Sequence, residues 1–118
     1  MGDIYEVLTR LRRRGEKAVL ATVVAARGST PRKQGAKMIV QADGRITGTI
    51  GGGTLENQVI QAALERMDGK EAGMLHFEMT NEDASQEGMI CGGSVEVFIE
   101  PLAPLPVLYV FGGGHISL

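Results

Sequence analysis

The chain has 118 residues, a length that fits one domain, and its hydrophobic share of 43 % with no Trp and 4 % aromatics places the core on Val, Ile, Leu, Ala and Met. The single cysteine, Cys91, excludes an internal disulfide framework, and no apolar run approaches the roughly 20 residues that span a bilayer. The net charge of −2 hides a division: residues 1–45 carry ten Lys/Arg against four Asp/Glu, and residues 46–118 carry two against ten.

The basic first half suits an anionic ligand. Its cations are not interleaved with aromatics, as they are in nucleic-acid binders. The N-terminus is amphipathic rather than signal-like, so the expectation is a soluble, cytoplasmic protein that binds neither nucleic acid nor membrane.

The first element predicted is a helix over 3–14. Asp3 is its N-cap, Glu6 completes a capping-box-like start, and Ile4, Val7, Leu8 and Leu11 form an apolar stripe. Arg10, Arg12, Arg13 and Arg14 fill the last turn as solvated charges that suit the negative end of the dipole, and Gly15 stops the helix. Residues 17–26 are nearly all apolar and rich in β-branched side chains, the pattern of a strand buried on both faces.

That strand delivers the chain to the loop Arg27-Gly28-Ser29-Thr30-Pro31-Arg32-Lys33-Gln34-Gly35-Ala36-Lys37. Arginine offers a planar fork of donors that matches phosphate and carboxylate oxygens. Ser29, Thr30, Arg32 and Lys37 are therefore candidate anion ligands, with a solvated exposed loop as the other reading. Asp43-Gly44 between apolar segments 37–41 and 45–50 predicts a hairpin.

Next come Gly51-Gly52-Gly53-Thr54 and a helix over 54–67 with Leu55, Val59, Ala62, Ala63 and Met67 on one face. Strand, glycine turn and helix start make an anion site suited to phosphate, although the spacing matches neither a Walker A loop nor G-x-G-x-x-G. The plainer reading is a tight strand-to-helix turn. Thr54 is the expected N-cap. Glu56 sits in the first turn, where the dipole favours a carboxylate, and is a candidate functional carboxylate.

Residues 74–79 alternate, with Leu75, Phe77 and Met79 on one face and Met74, exposed His76 and Glu78 on the other. The polar stretch 80–90 reads as a loop. It leads to Cys91-Gly92-Gly93 and a strand with Val95, Val97 and Ile99 inward. Flanking glycines leave the Cys91 sulfur reachable for thiolate chemistry; the alternative is a small buried hydrophobe. Residues 101–106 are Pro-rich and read as a linker. Val107–Phe111 reads as a buried strand, and the Gly112-Gly113-Gly114 that follows is how a dinucleotide-fold unit opens. The exposed edge of that strand favours self-association as a homodimer.

Together these readings give an α/β chain: a mixed β-sheet packed by two main helices over 1–100, a linker at 101–106, and over 107–118 the opening strand and turn of a truncated Rossmann-like unit.

Four blocks, ATVVAARGSTPRKQGAKMIV, GRITGTIGGGTLE, MICGGSVEVFIEPL and VFGGGHIS, occur in order and closely resemble the XdhC/CoxI family of xanthine dehydrogenase accessory factors. The resemblance implies a non-catalytic maturation chaperone that binds molybdenum cofactor, holds it while a cysteine desulfurase supplies its sulfido ligand, and helps insert it into a xanthine dehydrogenase-type molybdenum hydroxylase. It also implies a second, Rossmann-like domain, of which this chain matches only the opening. The cofactor is a pterin dithiolene bearing a phosphate. Gly51, Gly52, Gly53 and Thr54 would suit that phosphate, Ser29 to Lys37 would clamp it, and Cys91 would lie near the metal or the incoming sulfur. The family pattern has Cys or His where this chain has Thr54, a poor metal ligand, so no metal ligand is implied there. Two rival readings come from other classes. VFGGGHIS suits a fragment of a nucleotide-dependent oxidoreductase, and the strand it follows suits a structural interaction module.

Overall fold

The structure, a computed structural model, describes residues 3–28, 34–68, 71–78 and 93–103, together with the backbone of 107–110 and 114–117. In chain order the elements are α1 (Ile4–Arg14), β1 (Ala18–Arg27), β2 (Lys37–Gln41), β3 (Ile46–Gly48), α2 (Gly53–Glu65), β4 (Gly73–Glu78), β5 (Ser94–Pro101), β6 (Val107–Val110) and β7 (Gly114–Ser117).

Helix α1 begins where its cap chemistry dictates. The Asp3 carboxylate accepts hydrogen bonds from the amides of Tyr5 at 2.7 Å and Glu6 at 3.1 Å, satisfying two of the orphan donors of a helix start. At the other end Gly15 adopts φ 70 and its amide bonds back into the last turn, the left-handed cap that glycine takes without steric cost. Arg12 corrects the reading of the basic turn as purely solvated. It is half-buried, and its Nε donates to the carbonyl of Ala103 at 3.0 Å.

Strand β1 is the axis of the sheet. The order is β3-β2-β1-β5-β4, and β1 pairs on both sides, so that Ala21 lies opposite Met38 of β2 and Ile99 of β5. Its two faces feed two cores. Val19, Ala21 and Val23 join Met38, Val40, Val95, Val97 and Ile99 beneath Leu55, Val59 and Ala63 of α2. Ala18 and Ile39 point the other way, onto Val7 and Leu11 of α1. A strand covered by a helix layer on each face needs apolar side chains at consecutive positions, the pattern read over 17–26.

Every pairing in the sheet is antiparallel, which corrects the mixed sheet expected from sequence. The β3-α2-β4 crossover does join strands that run the same way, but the sheet order sets them at opposite edges with three strands between. They therefore never pair.

The Asp43-Gly44 hairpin forms as expected, with Gly44 at φ 87. Asp43 accepts from the backbone amide and the Nε of Arg45. These bonds, the amide first, hold the Asp43 carboxyl below its usual 3.8. A lowered folded-state value means that the stabilisation is present above the unfolded pKa and is lost as pH falls through the folded one. The stability advantage of the parent over Asp43→Asn is therefore expected near neutral pH and should vanish on acidification below 3.8; urea unfolding of both proteins across that range checks it.

Residues 101–103, the start of the segment read as a linker, are held to the sheet: β5 runs to Pro101, the Leu102 amide donates to the Ala18 carbonyl at 2.9 Å, and Leu102 packs against the α1 core. Gly114 opens β7, which pairs antiparallel with β6 in a separate two-stranded sheet. No helix among the described residues is long and apolar enough to cross a membrane.

Candidate functional site

The strand ends that flank the sequence-predicted segments lie at one end of the sheet, its stepped edge. At that edge β1 closes with Arg27 opposite Ser94, where β5 opens, and Ser94 lies opposite Glu78, where β4 closes. Strands β2 and β3 stop lower. Lys37 lies opposite Thr22, five residues before the end of β1, and Met38 lies opposite Gly48. At about 3.3 Å per residue the tips of β1 and β5 thus rise roughly 15 Å above the start of β2. The first turn of α2 shares a core with these tips: Ala26 and Phe77 pack on the cluster that contains Leu55.

Three loops leave from this stepped edge. Ser29, Thr30 and Arg32 lie outside the described residues, between Gly28 at the end of β1 and Gln34; so does Cys91, two residues before Gly93, which is buried at the start of β5. Lys37 is half-buried at the foot of the first loop, and its Nζ reaches the Gly35 carbonyl at 3.4 Å. The glycine turn follows β3. His76 lies on the exposed face of β4, between Glu78 at 3.6 Å and Glu96 at 3.8 Å, as expected of a strand residue.

The glycine turn is more specific than its sequence suggests. Gly51, Gly52 and Gly53 have φ of 121, 76 and 72, a run that side-chain-bearing residues rarely sustain. Gly52, with ψ −171, is the N-cap of α2, in a region of backbone space open in practice to glycine alone. This corrects Thr54 as the cap: it lies inside the first turn.

Glu56 reaches back over the turn. One oxygen, Oε1, accepts the hydroxyl of Thr49 at 2.5 Å and the amides of Ile50 and Gly52, both at 3.2 Å. The Thr49 hydroxyl in turn accepts the Gly51 amide at 3.0 Å. The amides of 50, 51 and 52 are thus all engaged within the chain. Thr49 was not visible as a site residue from sequence. For Glu56 a signal existed, because a glutamate in the turn that follows a cap is placed to reach backward.

Two clefts of the described surface lie away from this edge. One of about 260 Å³ is lined by Glu16, Lys17, Gln41, Asp43 and Arg45 at the opposite end of the sheet. Another of about 450 Å³ lies between α1 and the end of β5. No group of three metal-ligating side chains occurs among the described residues. Among the described residues the stepped edge carries the cations of Arg27 and Lys37 beside the glycine turn pinned by Glu56.

The sequence pattern of the XdhC and CoxI family matches residues 11–78. The uncharacterised protein YqeB of Escherichia coli K12 is 36% identical over 98% of this chain, which spans 21% of that protein. A probable xanthine dehydrogenase subunit of Bacillus subtilis 168 is 35% identical over 85% of the chain and 31% of its own length. The molybdenum cofactor insertion chaperone PaoD of Escherichia coli K12 is 45% identical over 45% of the chain and 17% of its own length. Among solved structures, a xanthine dehydrogenase from Bacillus halodurans superposes with a TM-score of 0.65 at 28% identity, over 81% of this chain and 29% of that one. The chain spans less than a third of each of these relatives.

Proposed function

Because the chain belongs to the XdhC and CoxI family, we propose that it handles molybdenum cofactor during maturation of a molybdenum hydroxylase of the xanthine dehydrogenase type. In this reading it receives the cofactor, holds it while a cysteine desulfurase supplies sulfur, and passes it on, as a cytoplasmic carrier rather than a catalyst. The observation that supports the reading is that the strand ends from which the candidate loops leave, Arg27, Lys37, Gly48 and Ser94, lie at one end of the sheet. A relative named as a molybdenum cofactor insertion chaperone agrees with it.

The donor set fits the group. Lys37, together with Arg32, Ser29 and Thr30 of the adjoining loop, would supply cations and hydroxyls for the cofactor's phosphate. The thiolate of Cys91 is a soft ligand of the kind that suits a metal or a sulfur in transfer. The cofactor itself would supply the molybdenum–sulfur chemistry. The turn at Gly51, Gly52, Gly53 and Thr54, pinned by Glu56, would form the rim of that site, where the lack of side chains would let a flat ligand lie close to the backbone.

Anaerobic titration with molybdenum cofactor, followed by fluorescence, tests this. Saturation near one cofactor per chain is expected. Arg32→Ala should weaken binding about tenfold or more, the scale of one lost charge-assisted contact, and Cys91→Ser should lower metal retention more than pterin affinity. Unchanged affinity in Arg32→Ala, with unchanged metal retention in Cys91→Ser, would remove the assignment.

A further inference from the structure

We infer that Glu56 is an internal ligand of the glycine turn: its carboxylate takes, from within the chain, the amides that a bound anion would otherwise engage. The geometry is that of a clasp. Oε1 of Glu56 receives the Thr49 hydroxyl and the Ile50 and Gly52 amides, and the Thr49 hydroxyl receives the Gly51 amide. A carboxylate oxygen and a hydroxyl oxygen therefore account for three consecutive backbone donors. The Thr49 contact, at 2.5 Å, has the length of a charge-assisted bond between a hydroxyl and a carboxylate.

The consequence is a division of labour at the stepped edge. A phosphate directed at the amides of 50 and 52 would have to sit against the Glu56 carboxylate, and two anions at that distance repel. At Ile50, Gly51 and Gly52 the turn therefore offers shape, through its side-chain-free backbone, and not amide donors. This second statement rests on the cofactor reading above; the clasp itself does not.

The test uses the ¹⁵N-labelled chain and needs no cofactor, so its failure and failure of the cofactor reading are distinguishable. Amide exchange at Ile50, Gly51 and Gly52 is measured in the parent, Glu56→Gln and Glu56→Ala, and inorganic phosphate is titrated into the parent. The expected order of protection is parent, then Glu56→Gln, then Glu56→Ala. Exchange in Glu56→Ala should be on the order of tenfold faster at Ile50 and Gly52, because a lost bond to a charged acceptor has that size. The interior of α2 should be unchanged. Phosphate should leave the three parent resonances in place. Saturable phosphate-dependent shifts at Ile50 and Gly52 of the parent, or equal protection in the parent and Glu56→Gln, would overturn the inference; the glutamine fold is secured by near-identical shape even if the alanine variant is unstable.

Discussion

Gly48→Ala is expected to destabilise the chain by roughly 2–5 kcal/mol, much of the 5–15 kcal/mol that holds a domain of this size together. Gly48 has φ +80, and a Cβ there would meet the backbone oxygen of Lys37 at 2.6 Å and the tip of Ile4 at 3.3 Å. The first contact is with backbone of the paired strand β2, which cannot swing aside without breaking the Met38–Gly48 register. The left-handed φ alone costs about 1–2 kcal/mol for a non-glycine residue, and the clash adds the rest. Gly44→Ala is the matched control. Gly44 has φ +87 but nothing within 4 Å of its added Cβ, so only the conformational cost of about 1–2 kcal/mol applies. Urea unfolding of both variants at constant m-value reads the difference. Equal losses would mean that the backbone contact contributes nothing.

Leu55→Ala is expected to cost about 2–5 kcal/mol, the range for removing a large buried aliphatic side chain and leaving a cavity. Leu55 is 1% exposed in the first turn of α2, within the cluster formed with β1, β2 and β5. Its neighbour Glu56 carries the clasp on the glycine turn. Loss of the apolar seat should loosen that end of the helix, so the amides of Ile50 and Gly52 should lose protection in step with global stability. Leu64→Ala, at a partly buried position of the same helix, should cost less and leave the turn amides protected. A drop confined to global stability, with turn protection retained in Leu55→Ala, would uncouple the core from the site.

The sequence carried the local structure of this chain well. Asp3 and Gly15 bound α1 because capping is a matter of a few adjacent residues. Asp43-Gly44 turned the chain where expected, because a two-residue preference for positive φ is local too. The alternation of β4 and β5 placed Leu75, Phe77, Val95, Val97 and Ile99 on the side of the α2 core. The site was legible only in part. Arg32, Ser29, Thr30 and Cys91 could be singled out by chemistry, but sequence could not say that their loops leave one edge, since that depends on the pairings Arg27–Ser94 and Ser94–Glu78. Thr54 was misread as a cap because the three glycines hide where the helix dihedrals begin.

The family, the helices, the caps of α1, the hairpin, and the apolar pattern that demands cover on both faces of β1 were all written in the order of the amino acids. Each is encoded by neighbours in the chain or by a recurring spacing. Tertiary contacts were needed to make the sheet antiparallel throughout, to stand the ends of β3 and β4 on opposite edges, and to close Glu56 over Ile50 and Gly52. Strand order is set by how two helix layers bury one sheet, and the clasp forms only when three successive glycines bring backbone amides and a helix carboxylate to the same point, a meeting of geometry that no single residue announces.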